Sequence, residues 1–264
     1  MSSYDPGLGA KAMKKISMFS WGFSGWGNST PELVAAVEAA ERKRGFKPPI
    51  FVDIRFRRTG RAKGFKEHTF EDLLGWRRYR WMPTLGNSAI GTGKGGVNIA
   101  SPKAARQLLD VALEASDRSA RVIFFCACES PFASWCHRLH VTKLLRREAR
   151  LRQIPLDVSE WPGGQPSARP LSLRVSPETF RGLLKGRATV PLSHKRAPSD
   201  FAGIPWGSLV RVKAGTDEVV VPVGPAAYRS GSWGLPTFWD EDPSTDIQGL
   251  RRQSAGLRRL CGLD

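Results

Sequence analysis

Between residues 16 and 160, short apolar runs alternate with longer segments whose apolar residues recur every three to four positions. The runs Ile16–Phe19, Ile50–Ile54, Tyr79–Met82, Arg121–Cys126 and Ile154–Val158 read as strands. Helices are expected between them. One starts at Thr30-Pro31-Glu32 and carries Leu33, Val34, Val37 and Ala40 on one stripe; others cover Thr69–Gly75, Pro102–Ala115 and His137–Leu151. Strands that alternate with helices pair in parallel, because each crossover helix must pack on a sheet face. The fold class expected is therefore α/β, a parallel-sheet N-terminal domain with helices on both faces. In such sheets ligands bind beyond the C-terminal strand ends. That rule selects Trp21–Asn28, Asp53–Lys66 and Cys126–Arg138 as one rim.

Flanking segments differ. Residues 1–13 are rich in Gly and Ser and aperiodic, which predicts a flexible tail. The α/β domain is placed at 14–160 and a linker at 161–169 (WPGGQPSAR). Residues 170–264 read as a small α+β module: a strand at Leu171–Val175, a helix at Pro177–Leu184, a strand at Arg187–Leu192, and a hairpin of Leu209–Lys213 and Glu218–Val223. A last helical stripe runs over Ile247–Leu260.

Charge narrows the partner. The chain has 41 Lys and Arg against 24 Asp and Glu, a formal +17. Residues 1–164 hold 27 of the bases and 15 of the acids, so most of the excess sits with the α/β domain. Such a field attracts polyanions, and nucleic acid, DNA before RNA, is the expected partner. Apolar runs are far shorter than the ~20 residues a membrane span needs, so no membrane association is expected. Four cysteines in 264 residues are too few for a disulfide scaffold; a cytoplasmic protein with reduced thiols is expected.

Chemistry-bearing residues crowd the rim. Asp53 ends an apolar strand, where a carboxylate is costly unless it is paired or at work. It reads either as a catalytic group or as the partner of Arg55 or Arg138. Arg55, Arg57, Arg58, Arg61 and Lys63 make the following loop a phosphate-binding candidate, and Arg138 joins them from a helix start. Trp21, Trp26 and Trp135 are candidates to stack on bases. Glu129 and His137 complete a catalytic set with Asp53, and Ser24, Cys126 and Cys136 are further pocket residues. Cys126-Ala-Cys128 followed by a single adjacent Cys-His departs from the usual spacing of a four-ligand zinc site. No metal and no cofactor is therefore expected. Gly91-Thr-Gly-Lys94-Gly-Gly lacks the spacing of a nucleotide-binding phosphate loop.

The order Gly22-Phe-Ser24, Phe51-Val-Asp-Ile-Arg55, Gly64-Phe65, Leu85-Gly86 and Cys126…Cys136-His137-Arg138 resembles the "domain of unknown function 488" family over roughly residues 14–160. The resemblance implies a compact α/β domain in which Asp53, Arg55, Cys126, Glu129, Cys136, His137 and Arg138 share one site. It implies no settled activity. Here the first loop is longer by Gly25–Asn28, the Cys126–Cys136 loop carries extra residues, and a C-terminal module is added.

Three functions fit these residues. The first is a nucleic-acid-acting hydrolase, DNA glycosylase-like, that removes a base by N-glycosidic cleavage. It needs a carboxylate, a stacking surface and phosphate clamps, and neither metal nor nucleotide. The second is a Cys-dependent thiol or sulfur-transfer enzyme. The third is a non-catalytic nucleic-acid-binding module.

Overall fold

The computed structural model describes residues 15–24, 26–93, 95–128, 131, 134–163, 171–184, 190–192, 208–223, 227–229 and 232–235. The expected tail, the helix over 247–260, most of the linker and Glu129 lie outside the described residues.

Five strands form one sheet: β1 (Ile16–Gly22), β2 (Ile50–Asp53), β3 (Tyr79–Trp81), β4 (Val122–Cys126) and β5 (Leu156–Glu160). Their order is β3-β2-β4-β1-β5 and every pairing is parallel. The α/β architecture expected from the alternation is the one observed. β4 is central, which explains why Val122–Cys126 is buried at every position: both faces of a parallel sheet are covered.

Alternate residues of β4 face opposite layers. Ile123 and Phe125 join Phe19, Trp21 and Phe51 under helices α1 (Thr30–Lys43) and α2 (Thr69–Leu74), which contribute Leu33, Val37, Phe70 and Leu74. Val122, Phe124 and Cys126 join Met18 and Val52 under α3 (Ala104–Asp117) and α4 (Arg138–Leu151), which contribute Leu108, Leu109, Val141 and Leu145. The expected linker starts later than the composition indicates. Trp161 is buried with the first cluster, and its backbone N–H donates to Ser20 O at 2.7 Å. Gly163 lies where a Cβ would stand 2.5 Å from the Phe19 ring, so residues 161–163 belong to the α/β unit.

Farther along, β6 (Leu171–Arg174) pairs in parallel with β8 (Ser208–Ala214), which forms the expected hairpin with β9 (Asp217–Val223). Gly215, at φ +62°, supplies the left-handed residue that the turn needs. α5 (Pro177–Leu184) covers this sheet with Phe180, Leu183 and Leu184. A second small antiparallel sheet pairs β10 (Ala227–Arg229) with β11 (Ser232–Leu235), and β11 with β7 (Val190–Pro191). Of the strand expected over Arg187–Leu192, residues 190–192 are described, and β7 takes the first two. Among the described residues no helix is long and apolar enough to cross a membrane.

Candidate functional site

The strand order places the site. β1 is paired with β4, Gly22 against Cys126. The chain leaves β1 for α1 on one face and leaves β4 for α4 on the other. Adjacent strands whose connections diverge open a crevice at their C-terminal ends, the place where α/β sheets bind ligands. The residues gathered beneath that end are Asp53, Arg55, Cys126, Cys128, Cys136, His137 and Arg138, joined by Ser20 and Glu160.

Asp53 is fully buried, and both carboxylate oxygens are occupied. Oδ1 accepts from the backbone N–H and Nε of Arg55 at 3.0 and 2.9 Å; Oδ2 accepts from Arg55 Nη2 at 2.6 Å and from the Tyr79 hydroxyl at 2.8 Å. Arg55 also donates to Phe65 O at 2.7 Å and lies over the Phe23 ring. Burial, with the Asp53 charge beside it, pushes the Tyr79 hydroxyl well above the usual phenol range. Of the two readings open for Asp53, the geometry realises the internal ion pair. It fastens the start of the basic loop to the sheet. Arg55 is correspondingly removed from the expected phosphate contacts.

Arg58 is also tied down. It donates to Glu71 at 2.7 Å and lies 4.3 Å over the Trp81 ring. Arg57, Arg61 and Lys63 are exposed, as is Lys66 farther along the same loop, where it forms an exposed ion pair with Glu67 at 3.3 Å that solvent screens. The cations free to meet a polyanion are therefore a subset of those expected.

Two of the three expected stacking residues are corrected. Trp21 and Trp26 are buried, packed edge-to-face on each other at 6.1 Å within the aromatic cluster around Phe65 and Phe125. Their Gly-rich context suggests an open loop, but the loop folds back under α1. Trp135 is 59% exposed in the turn before α4. Trp76 and Trp81, not singled out from the sequence, are exposed as well. Ser24 is half-buried in the turn after β1.

Arg138 was expected to hold phosphate; it is instead completely buried. Its Nη1 lies 2.6 Å from Glu160 Oε1, and Ser20 Oγ donates to the same carboxylate. Burial works against the Arg138 charge, but Glu160 and the neighbouring sulfurs outweigh it and hold the guanidinium firmly protonated. Burial likewise pushes the Glu160 carboxyl up, against the pull of Arg138 and Ser20. His137 is buried; its Nε2 lies 2.9 Å from Ile54 O, an atom that can only accept. Nε2 therefore carries the proton and Nδ1 holds a lone pair, with no hydrogen-bond partner among the described residues. Burial lowers its pKa and favours the neutral ring, and its Nε2 proton is taken up by Ile54 O, so of the catalytic role expected for His137 only Nδ1 is left to act.

The three cysteines converge. Their sulfurs lie within 4.8 Å of one another, with Cys126 Sγ and Cys136 Sγ 3.8 Å apart. Hydrogen bonds from Cys126 and Cys128, helped by Arg138 and its backbone N–H at the start of α4, pull the Cys136 thiol far below its usual range. Burial drives Cys126 up. Gly22 makes the arrangement possible: a Cβ there would stand 1.7 Å from Cys128 O and 2.6 Å from Arg138 Nη1. The sequence offers Cys128 only as half of a Cys-x-Cys pair of unusual zinc spacing, and gives no sign of Tyr79, Ser20 or Glu160 at the site. Glu160 depends on β5 lying beside β1, which no local pattern encodes.

No protein-family model, curated protein or solved structure matches the chain.

Proposed function

We propose that the protein is a nucleic-acid-acting enzyme that grips the phosphate backbone on the loop following β2. One observation carries this reading. Arg57, Arg61, Lys63 and Lys66 are all exposed on a single loop that leaves the sheet at its ligand-binding end. The ion pair of Asp53 with Arg55 anchors that loop, and exposed aromatic rings stand nearby in sequence at Trp76 and Trp81. Anchored cations beside exposed rings suit a polyanion carrying bases.

Base removal by N-glycosidic cleavage is the reaction we propose for it. Asp53 is withdrawn from the catalytic role, because its oxygens are already taken; the role passes to Glu129, which lies outside the described residues. A sulfur-transfer reaction is less well supported, since a nucleophilic thiol must meet its substrate and Cys126 and Cys136 are 1% and 4% exposed. The residues behind the resemblance to the "domain of unknown function 488" family belong to this same sheet end, and membership of that family is part of the proposal.

Binding measured between roughly 50 and 200 mM salt tests the grip. Each phosphate neutralised contributes about −0.9 to the logarithmic slope on duplex DNA. Neutralising Arg57, Arg61, Lys63 and Lys66 together should flatten that slope by about one per cation that reaches a phosphate. A parent that binds without salt dependence, or a quadruple variant that binds like the parent, overturns the assignment. Release of free base from a panel of modified DNAs by the parent, lost in Glu129→Gln, tests the reaction.

A further inference from the structure

We propose that Cys126, Cys128 and Cys136 form a three-thiolate site for a borderline-soft divalent cation, zinc foremost, with a fourth coordination position left open to water or a substrate atom. The inference does not rest on the nucleic-acid reading.

The geometry is that of a ligand set. Tetrahedral zinc with Zn–S bonds of about 2.3 Å requires sulfurs roughly 3.8 Å apart, and Cys126 and Cys136 already stand at 3.8 Å. The third sulfur lies within 4.8 Å of both. Two of the ligands are buried: Cys126 ends the central strand, and Cys136 stands two residues before α4. Cys128 lies on the connecting loop and is half-buried, which leaves an entry path.

The surroundings are those of a metal site. The Cys128 backbone N–H points at Cys126 Sγ, 3.4 Å away, an outer-shell bond of the kind that fixes a ligand's orientation. Three thiolates around a divalent ion carry one net negative charge, and the buried Arg138 guanidinium, which Glu160 and the sulfurs share, lies beside Cys136. Among the described residues no His, Asp or Glu atom joins the three sulfurs. Three protein ligands with an open position is the arrangement of catalytic zinc, whereas structural zinc takes four. The Cys-x-Cys spacing had argued against a metal. The Gly22 contact removes that objection, because it lets Cys128 fold back beside Cys126 and so brings close what a longer spacing usually provides.

The test uses the full chain, reduced, stripped with chelator and titrated with Co2+ as the spectroscopic probe, without nucleic acid. One equivalent should produce a near-ultraviolet thiolate-to-cobalt charge-transfer band and the intense visible bands of a tetrahedral site, both abolished by one equivalent of Zn2+. Cys126→Ser, Cys128→Ser and Cys136→Ser should each weaken binding by more than the roughly 10–100-fold that losing an outer-shell partner costs. Cys261→Ser should bind like the parent. Cys128 is the least packed of the three, so Cys128→Ser decides the matter if the other variants fail to fold. Folded parent without a charge-transfer band at stoichiometric Co2+, or Cys128→Ser binding as tightly as the parent, overturns the site. Neither result bears on the salt dependence of nucleic-acid binding, so the two proposals fail separately.

Discussion

Arg55 reaches Asp53 only because a single residue, Ile54, separates them at a strand end, where the backbone turns and brings the guanidinium back over the carboxylate. The pair is fully desolvated, and Tyr79 from the neighbouring strand supplies one more donor. Removing one member of such a pair leaves an uncompensated buried charge, which typically costs about 3–5 kcal/mol. Asp53→Asn should therefore lower the urea midpoint by that equivalent, while Tyr79→Phe, losing one hydrogen bond to a charged group, should cost about 1.5–3 kcal/mol. Equal midpoints for Asp53→Asn and the parent would mean that the carboxylate is kept for something other than holding the loop. The sequence makes the pair visible as one of two options; it cannot choose, because the choice depends on Tyr79 arriving from β3. Arg138 shows the same limit more sharply. Its place at a helix start favours an anion, and the anion is Glu160, an internal carboxylate from a strand that the sequence does not place alongside.

At the scale of elements, the alternation of periods carries nearly all the information needed. All five strands and all four helices of the α/β unit are where periodicity puts them, to within a few residues at their ends. The shift that matters is β5, expected over 154–158 and found over 156–160, because its last residue is Glu160. The wholly apolar run of β4 fits a central strand and the mixed LDVSE of β5 an edge, but the full order is not legible, since several parallel orders share that pattern. The tryptophans illustrate the complementary failure. Trp21 and Trp26 lie among glycines, which marks a turn but does not say which way it folds. Here it folds onto the aromatic layer beneath α1, where Phe125 touches Trp21, Phe23, Phe51, Phe65 and Phe70. Phe125→Ala should accordingly cost about 3–5 kcal/mol by urea denaturation. Leu151→Ala, at a residue 72% exposed at the end of α4, should stay within about 0.5 kcal/mol. Comparable losses at the two positions would contradict the layer assignment.

At the scale of the whole molecule, the cores among the described residues do not share side chains. Both clusters of the α/β unit draw on residues 16–161 alone. A third cluster, built on Phe180, Leu183, Val210, Val212, Val219, Val221 and Val223, draws only on residues beyond 170. Units that close their apolar surfaces separately usually unfold separately, because little free energy links them. Calorimetry of the full chain should therefore show two transitions. Phe125→Ala should lower only the one belonging to the α/β unit. For a unit of about 150 residues each kcal/mol corresponds to about 2–4 °C, so the shift should be on the order of 10 °C. Val212→Ala, in the middle of β8, should lower only the other. A single transition that both variants displace together would show one cooperative unit. It would also mean that a ligand held at the end of the α/β sheet is felt throughout the C-terminal sheets, since binding to one state stabilises whatever unfolds with it.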